Sequence, residues 1–299
     1  MIQRIFRIIL IVVIAALPVC ASEKMAEDAN VKAIWPKSLK VTCSDVLIRI
    51  DGPKMWTPSR IEYKGTLLGI EDSAYGTVLG FPAIGWLGTA HKLDIPDGQE
   101  DVRSLEFYLE DEKFTASEHE ISGKSFKLIK KSRILNVYIE NITELKNNRI
   151  YETAVMKAKQ ETPLNVAYHF MHAWTPTATA FLACATDGNE LQDVLKDSND
   201  VKGKHYVLRD LAWIAVYDGP SGKGIVSRLL EKPEIGGGNS LLVNAPAIYR
   251  KCYVMCFEGK SLPAGFEGKY RMVTGFFEAK SNEWQDAARK LSQDLKIND

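Results

Sequence analysis

Residues 165–179 read NVAYHFMHAWTPTAT, and the rest of the chain can be organised around them. The stretch starts as an apolar, aromatic-rich run, which predicts a central strand, and Thr175-Pro176 predicts that the strand ends at a rim. It carries His169 and His172, two of the five histidines, beside Trp174. No other segment gathers so many chemically capable side chains, so we expect this strand to contribute to a site.

A glycine-rich segment, residues 75–92, has a similar character. Its glycines are interleaved with aromatic residues and a histidine, in the order Tyr75, Gly76, Gly80, Phe81, Gly85, Trp86, Gly88 and His91. Glycine permits positive φ and close backbone approach, so the segment is predicted to be a loop that folds over a sheet. We expect His91 and His172 to lie within ~10 Å of each other, across an open cleft that also exposes one face of Trp86 or Trp174.

Strand signals dominate the chain on both sides of these segments. Side chains alternate between a polar and an apolar face in residues 134–142, which is the period of a half-buried strand. Further strands are predicted at 46–50, 60–63, 66–68, 105–109, 126–130, 150–158, 213–217, 224–230, 249–257 and 270–278. Residues 187–203 are polar and acidic and are predicted to form a loop.

One helix is predicted at the end of the chain, over residues 282–296, because Trp284, Ala288, Leu291 and Leu295 follow helical spacing. It is expected to cover an edge or one end of a sheet. No long linker divides residues 41–299, which are therefore predicted to be a single domain. The fold class is all-β, a large antiparallel two-sheet sandwich with a C-terminal helix.

The N-terminus has the pattern of a targeting segment. Arg4 and Arg7 precede an apolar run that is too short to span a bilayer, and small residues follow it. Residues 1–21 are therefore predicted to be a signal peptide, and 22–40 a polar lead-in. The alternatives are a lipid anchor through Cys20, disfavoured by Val19 before it, and an uncleaved anchor. The expected location is secreted or periplasmic.

Composition excludes one class of partner. Removing residues 1–21, which contain Arg4 and Arg7, changes the formal net charge from 0 to −2. A nucleic-acid surface needs a clustered basic excess, so no nucleic-acid partner is expected. No later segment is apolar enough to cross a membrane, so no transmembrane segment is expected after signal removal.

Four cysteines remain after the predicted cleavage: Cys43, Cys184, Cys252 and Cys256. An exported chain can oxidise them, and four cysteines allow three pairings. Cys252 and Cys256 lie on one face of a predicted strand, roughly 13 Å apart, which is too far for a mutual bridge. Four buried free thiols are the other interpretation. With no Cys-x-x-Cys pair, no metal site is predicted, and no cofactor either.

Three motifs resemble, weakly, those of the galactose-mutarotase-like "supersandwich" proteins, which include sugar epimerases and β domains of polysaccharide lyases and glycosidases. Tyr75-Gly76 with the run from Gly85 to His91 looks like the glycine-rich ligand-facing segment of that family. The run from Tyr168 to Trp174 lies about where epimerases carry a catalytic histidine. Glu278 comes late in the chain, as their catalytic glutamate does, but the Asn-His pair and Tyr-Phe-Asn run of the epimerases are absent.

The resemblance and the residue types together assign expected roles. The catalytic candidates are His91, His172, Tyr75 and Glu278, and the substrate-binding candidates are Arg60, Trp86, Trp174 and His169. A tryptophan can stack on a sugar ring, and an arginine can pair with a uronate carboxylate. His169 and His172 are three apart on a strand and are expected to face opposite sides, so they would not share a metal.

Two functions follow as hypotheses. The first is an exported carbohydrate-active enzyme acting on a sugar or uronate polymer. In an epimerase-like form, a histidine donates to the ring oxygen while Glu278 takes the anomeric proton. In a lyase-like form, Tyr75 or a histidine removes the C5 proton of a uronate while Arg60 neutralises the carboxylate. The second hypothesis is a non-catalytic carbohydrate-binding or scaffold protein on the same fold.

Overall fold

The computed structural model describes residues 35–70, 75–116, 119–196, 204–233 and 237–297. The predicted signal peptide and most of the polar lead-in lie outside these residues. No helix among the described residues is long and apolar enough to cross a membrane.

The described residues form strands joined by short turns, one short 3₁₀ helix (Gly52–Lys54) and one α-helix, α1 (Trp284–Ile297). The first strands are β1 (Ser38–Cys43), β2 (Val46–Asp51), β3 (Thr57–Tyr63), β4 (Thr66–Gly69), β5 (Tyr75–Phe81), β6 (Gly85–Gly88), β7 (Asp101–Leu109), β8 (Glu112–Phe114), β9 (Glu120–Gly123), β10 (Ser125–Ile134), β11 (Val137–Lys146) and β12 (Arg149–Ala158). The later strands are β13 (Thr162–Pro163), β14 (Val166–Trp174), β15 (Ala180–Ala185), β16 (Glu190–Val194), β17 (Lys204–Leu208), β18 (Leu211–Asp218), β19 (Lys223–Glu231), β20 (Ser240–Ala245), β21 (Tyr249–Glu258), β22 (Ser261–Leu262) and β23 (Phe266–Glu278).

Two large sheets pack face to face, as the sequence predicts. The eleven-stranded sheet has the order β17-β20-β21-β14-β4-β3-β2-β1-β9, and β5 pairs with both β14 and β6. The ten-stranded sheet has the order β16-β15-β18-β19-β23-β12-β11-β10-β7-β8. Among the described strands all pairs are antiparallel except β1 with β9. Below, the inner face of a sheet is the one that faces the other sheet.

The main core fills the space between the two inner faces. Alternate residues of β2 (Val46, Ile48 and Ile50) and of β10 (Phe126 and Leu128) are completely or almost completely buried in it. This is the period-two burial that a sandwich requires. Rings also pack from sheet to sheet, as in the stacked pair Tyr63 and Phe276, whose centroids are 5.1 Å apart.

Helix α1 covers the outer face of the ten-stranded sheet, where it packs on β18, β19 and β23. Trp284 stacks on Tyr217 at 5.3 Å, and Ala288 and Leu295 are buried in the same apolar cluster. Because β19 and β23 are interior strands of that sheet, the helix covers a face and not the edge or end that its sequence suggested.

Three sequence predictions of local structure are wrong in detail. Residues 134–142 are not one strand, since β10 ends at Ile134 and a turn through Leu135, with φ 52°, leads into β11. The polar stretch 187–203 contains the edge strand β16. The lead-in ends early, because β1 already begins at Ser38.

The glycine-rich segment is also not a loop lying over a sheet. Its first half is β5, which pairs directly with β14 from Val166 opposite Gly80 to Met171 opposite Tyr75. Its second half is β6, which forms a hairpin with β5. The two segments singled out in the sequence therefore do meet, as hydrogen-bonded neighbours within the eleven-stranded sheet.

Candidate functional site

The outer face of the eleven-stranded sheet carries a small apolar cluster separate from the main core. It consists of Val78, Tyr168 and Met171, with Tyr253 and Met255 packed against it. Strand alternation explains the arrangement: on β21, Cys252, Val254 and Cys256 enter the core, so the residues between them face outward.

A row of three aromatic rings crosses this outer face. The rings of Trp86 and Tyr168 are 5.8 Å apart, and those of Tyr168 and Tyr253 are 5.3 Å apart, edge to face. Trp86 is 45% exposed, whereas Tyr168 is buried. A Cβ at Gly80 would come within 3.3 Å of the Trp86 ring, so the absent side chain gives that ring its place against β5.

Lys251 lies at the end of the aromatic row. Its Nζ is 4.6 Å from the ring centroid of Tyr249 and 5.3 Å from that of Tyr253. Burial, reinforced by the nearby Lys54 ammonium, lowers the pKa of Lys251 to about 8. The amine is therefore mostly protonated at neutral pH but loses its charge within an accessible pH range.

His91 completes the group. It lies in a tight turn, in which His91 and Gly88 exchange backbone hydrogen bonds of 3.0 and 3.2 Å and Ala90 has φ 61°. Burial, and then the positive charge of Lys251, hold the pKa of His91 below its usual 6.5. His91 is thus a neutral imidazole at pH 7, beside a charged amine. Trp86, His91, Tyr168, Lys251 and Tyr253 are called the outer-face site below.

His172 lies on the other side of the same sheet. Its Nε2 is 2.7 Å from the Glu152 carboxylate on β12 of the opposite sheet, and both side chains are buried. His91 is instead close enough to Lys251 for that ammonium group to lower its pKa. His172 therefore does not face the open cleft that the sequence predicted, because its side chain is buried between the sheets.

A bulge in β14 overturns a second expectation. The pairing of β14 with β21 shifts register between His169 and His172, and Phe170 between them has φ 54°. The extra residue rotates both histidines to the inner face, where His169 packs on Tyr270 at 4.7 Å and His172 meets Glu152. They do not face opposite sides, and His172 does not share a face with Tyr168.

Two predicted binding residues are sealed in the core. Trp174 is 2% exposed and packs on the His172 ring at 5.4 Å, so neither of its faces is open to a ligand. His169 is completely buried, with Nδ1 2.8 Å from Thr77 Oγ1. Burial lowers the pKa of His169 to about 3, so it stays neutral in the folded protein.

His169 should make the protein sensitive to acid. Its pKa is about 3 when folded against 6.5 for the free side chain. Its contribution is therefore fully present above pH 6.5 and is lost as the pH falls toward 3, by about 1.4 kcal/mol per pH unit. We expect His169→Gln to flatten the fall in the free energy of unfolding between pH 6 and pH 4, measured by urea titration. The exposed His119→Gln is the control, and equal slopes in both variants would contradict the prediction.

The remaining predicted residues lie away from the outer-face site or are only partly described. Arg60 makes a 2.6 Å ion pair with Glu62 two residues along β3. Glu278 is not buried but 47% exposed at the end of β23, where it pairs with Lys64 at 3.4 Å. The backbone of Tyr75 pairs with Met171, and its side chain is outside the described part.

The cysteines and acidic residues offer no metal site in the described part of the chain, where no group of three or more His, Cys, Asp or Glu side chains could hold an ion. Cys43, Cys184, Cys252 and Cys256 are all unpaired thiols, of which Cys184 alone is partly exposed. Burial raises the pKa of Cys43 to about 11 and that of Cys252 and Cys256 to about 12, so these three stay protonated.

Sequence reasoning missed Lys251, Tyr168 and Tyr253 as site residues. One signal was present, namely the alternation of the predicted strand 249–257, which puts Lys251 and Tyr253 on the face opposite its two cysteines. That pattern cannot say which face meets a ligand. Tyr168 lies in the predicted central strand, but the bulge at Phe170 puts it on the face opposite His172.

Comparisons with known proteins identify the fold. No protein-family model and no curated protein matches the chain. Among solved structures, the Slr1438 protein of Synechocystis sp. PCC 6803 matches with a TM-score of 0.50 and 8% identity, over 85% of this chain and 99% of that one. The galactosidase domain of the α-galactosidase-sucrose kinase AgaSK also matches with a TM-score of 0.50 and 10% identity, over 83% and 42%.

A candidate aldose 1-epimerase from Escherichia coli matches with a TM-score of 0.46 and 8% identity, over 81% of this chain and 99% of that one. The chain spans only about a third to two fifths of the length of the α-galactosidases from Geobacillus stearothermophilus and Lactobacillus brevis that it matches. The predicted weak resemblance to galactose-mutarotase-like proteins is confirmed at the level of the fold.

Proposed function

We propose that this chain is an exported protein that binds an acidic carbohydrate on the outer-face site. The observation that carries the proposal is the Lys251 amine, buried at the end of an aromatic row and flanked by His91 and Lys54. The carbohydrate-active proteins among the structures of similar fold support a sugar ligand, and the targeting pattern of residues 1–21 supports export.

The aromatic row supports sugar stacking. A pyranose presents an apolar C–H face, and Trp86 offers an exposed ring on which such a face can lie. Tyr168 packs against the Trp86 ring, and Tyr253 packs on Tyr168 and extends the apolar surface to Lys251. Each ring contact of this kind contributes about 1 kcal/mol.

The charges support an acidic sugar over a neutral one. Lys54 and Lys251 are close enough for the first to depress the pKa of the second, and no acidic side chain in the described ranges lies within salt-bridge distance of Lys54. A uronate carboxylate would accept charge-assisted hydrogen bonds from these ammonium groups, whereas a neutral sugar would not. Lys251 thus takes the part that the sequence assigned to Arg60.

His91 gives the site a means of catalysis, and the lyase-like reaction fits its neighbours best. Neutral His91 would remove the C5 proton of a bound uronate while Lys251 neutralises the carboxylate. The electron pair left at C5 forms the C4–C5 double bond, the C4–O4 bond breaks, and the leaving oxygen takes a proton from solvent. Glu278 has no part in this scheme, since it is exposed and paired with Lys64.

Binding should depend on the charge of Lys251. We expect Lys251→Met to weaken the affinity for a uronate oligomer at least about ten-fold, the cost of one lost charge-assisted contact, while Lys251→Arg retains most of it. In the unmodified protein the affinity should fall as the pH rises through about 8, because the ammonium is lost there, and Lys251→Arg should abolish that fall. Isothermal titration calorimetry measures both, with the exposed Lys113→Met as the matched control.

An equal affinity for uronate and neutral oligomers, unchanged in Lys251→Met, would contradict the proposal.

A second candidate function, binding without catalysis, is favoured by the exposed Trp86 ring, which needs no titrating partner. Absorbance of the unsaturated product separates the two. Product that disappears in His91→Gln supports the lyase-like reaction, whereas binding that Trp86→Ala abolishes, with no product on a broad panel, supports the binding protein.

A further inference from the structure

A buried ion pair, Lys130 with Glu100, lies between the sheets. Lys130 projects from the inner face of β10, and its Nζ is 2.7 Å from Glu100 Oε1. The side chains are 3% and 0% exposed. Two charges in such a place cost several kcal/mol of desolvation each, and a pair of apolar side chains would often serve stability as well. The pair therefore calls for an explanation besides stability.

Each member of the pair makes one further hydrogen bond, to a residue close in sequence to His91 or to Lys54. Glu100 Oε2 accepts a hydrogen bond of 3.2 Å from the hydroxyl of Thr89, which is fully buried and lies two residues before His91. Lys130 Nζ donates a 3.0 Å hydrogen bond to the carbonyl oxygen of Met55, the residue after Lys54.

The two anchored segments are ones that need external support. Met55 ends the short 3₁₀ helix with φ 51°, and Trp56 follows with φ 51°, so this turn holds two non-glycine residues in the left-handed region. The His91 turn has the same feature at Ala90. Such conformations persist where surrounding contacts enforce them. Lys54, on the first turn, lowers the pKa of Lys251. Lys251 in turn lowers the pKa of His91, on the second turn.

We infer that the Lys130–Glu100 pair is a positioning device, which joins the turn carrying Lys54 to the turn carrying His91 and sets both against Lys251. The inference deepens the proposed function and rests on it for the role of the site. Neither Lys130 nor Glu100 faces the ligand surface, so both act through other residues. The opposite sheet thereby determines the geometry of a site to which it contributes no surface.

The test removes the hydrogen bond from Thr89 to Glu100, because a single conservative substitution is enough to do so. Thr89→Val keeps the shape of the side chain but removes the hydroxyl, whereas Thr89→Ser keeps the hydroxyl. We expect NMR titration to show the pKa of His91 moving upward in Thr89→Val, because a freed turn lets the imidazole gain solvent and leave Lys251. The affinity for a uronate oligomer should fall about five-fold, as for one lost hydrogen bond. Thr89→Ser should restore both values.

Two controls separate positioning from stability. Thr143→Val, at another buried threonine between the sheets, should leave the titration of His91 unchanged even if it lowers the melting temperature. The double variant Lys130→Met/Glu100→Leu replaces the pair with apolar groups and should shift the pKa of His91 upward in a folded protein. If Thr89→Val and the double variant both titrate like the unmodified protein, the pair is a core ion pair only and the inference is wrong.

The His91 titration needs no sugar, so the two proposals can fail separately. A shifted pKa in a protein that binds no carbohydrate would leave the positioning device and overturn the proposed function. An unshifted pKa of His91 in a protein whose uronate binding depends on Lys251 would leave the proposed function and overturn the positioning device.

Discussion

Replacing Lys130 with methionine should lower the free energy of unfolding by about 3–5 kcal/mol, because Glu100 would be left as an uncompensated charge between the sheets. Glu100 is 2% exposed, so water cannot take the place of the lost ammonium. The carbonyl oxygen of Met55 would also lose its donor. For a domain of this size the melting temperature should fall by roughly 10 °C.

The double variant shows whether the uncompensated charge of Glu100 causes this loss of stability. Lys130→Met/Glu100→Leu removes both charges and should recover most of the lost stability, since an apolar pair has no desolvation cost. Lys113→Met is the matched surface control: Lys113 is 60% exposed beside Glu106, and its loss should change the stability by less than about 1 kcal/mol. Urea-induced unfolding of the four proteins measures all the differences. A Lys130→Met variant as stable as the Lys113→Met variant would show that the pair is not buried as described.

Gly88→Ala should have the second large effect and lower the free energy of unfolding by at least about 3 kcal/mol. Gly88 has φ +132°, and a Cβ built on it would lie 2.2 Å from the carbonyl oxygen of Thr77. Backbone on the neighbouring strand cannot move aside as a flexible side chain can. The variant would have to separate β6 from β5, and with it Trp86 and the His91 turn from the outer-face site.

Gly65→Ala is the matched control for this prediction. Gly65 also has a positive φ, +70°, but nothing lies within 4 Å of the position that a Cβ would take there, so only backbone strain of about 1 kcal/mol is expected. Thermal unfolding gives the stabilities, and the NMR signal of His91 reports on the site. If the two alanine variants lose the same stability and keep the same His91 signal, the close approach of β6 to β5 is not what holds the hairpin.

Sequence patterns predicted local structure where a single strand contained its own signal. The short apolar runs of β2 and β18, each followed by a turn signal, and the spacing of Trp284, Ala288 and Leu295 in α1 were sufficient, because period and turn chemistry are local properties. They were insufficient for β16, whose residues are mostly exposed because it lies at an edge and has no apolar face. The turn at Leu135 was missed because it interrupts an alternation that continues on both sides.

The sequence by itself determined that this chain is a two-sheet sandwich with a terminal helix, and that residues 75–92 and 165–174 belong together. Only the tertiary structure decided which side chains meet. The bulge at Phe170 is set by the pairing of β14 with its neighbours, and it turned His169 and His172 into the core. The burial that lowers the pKa of Lys251 comes from packing among distant segments. Alternation along a strand is local, whereas register and burial are properties of the assembled sheets.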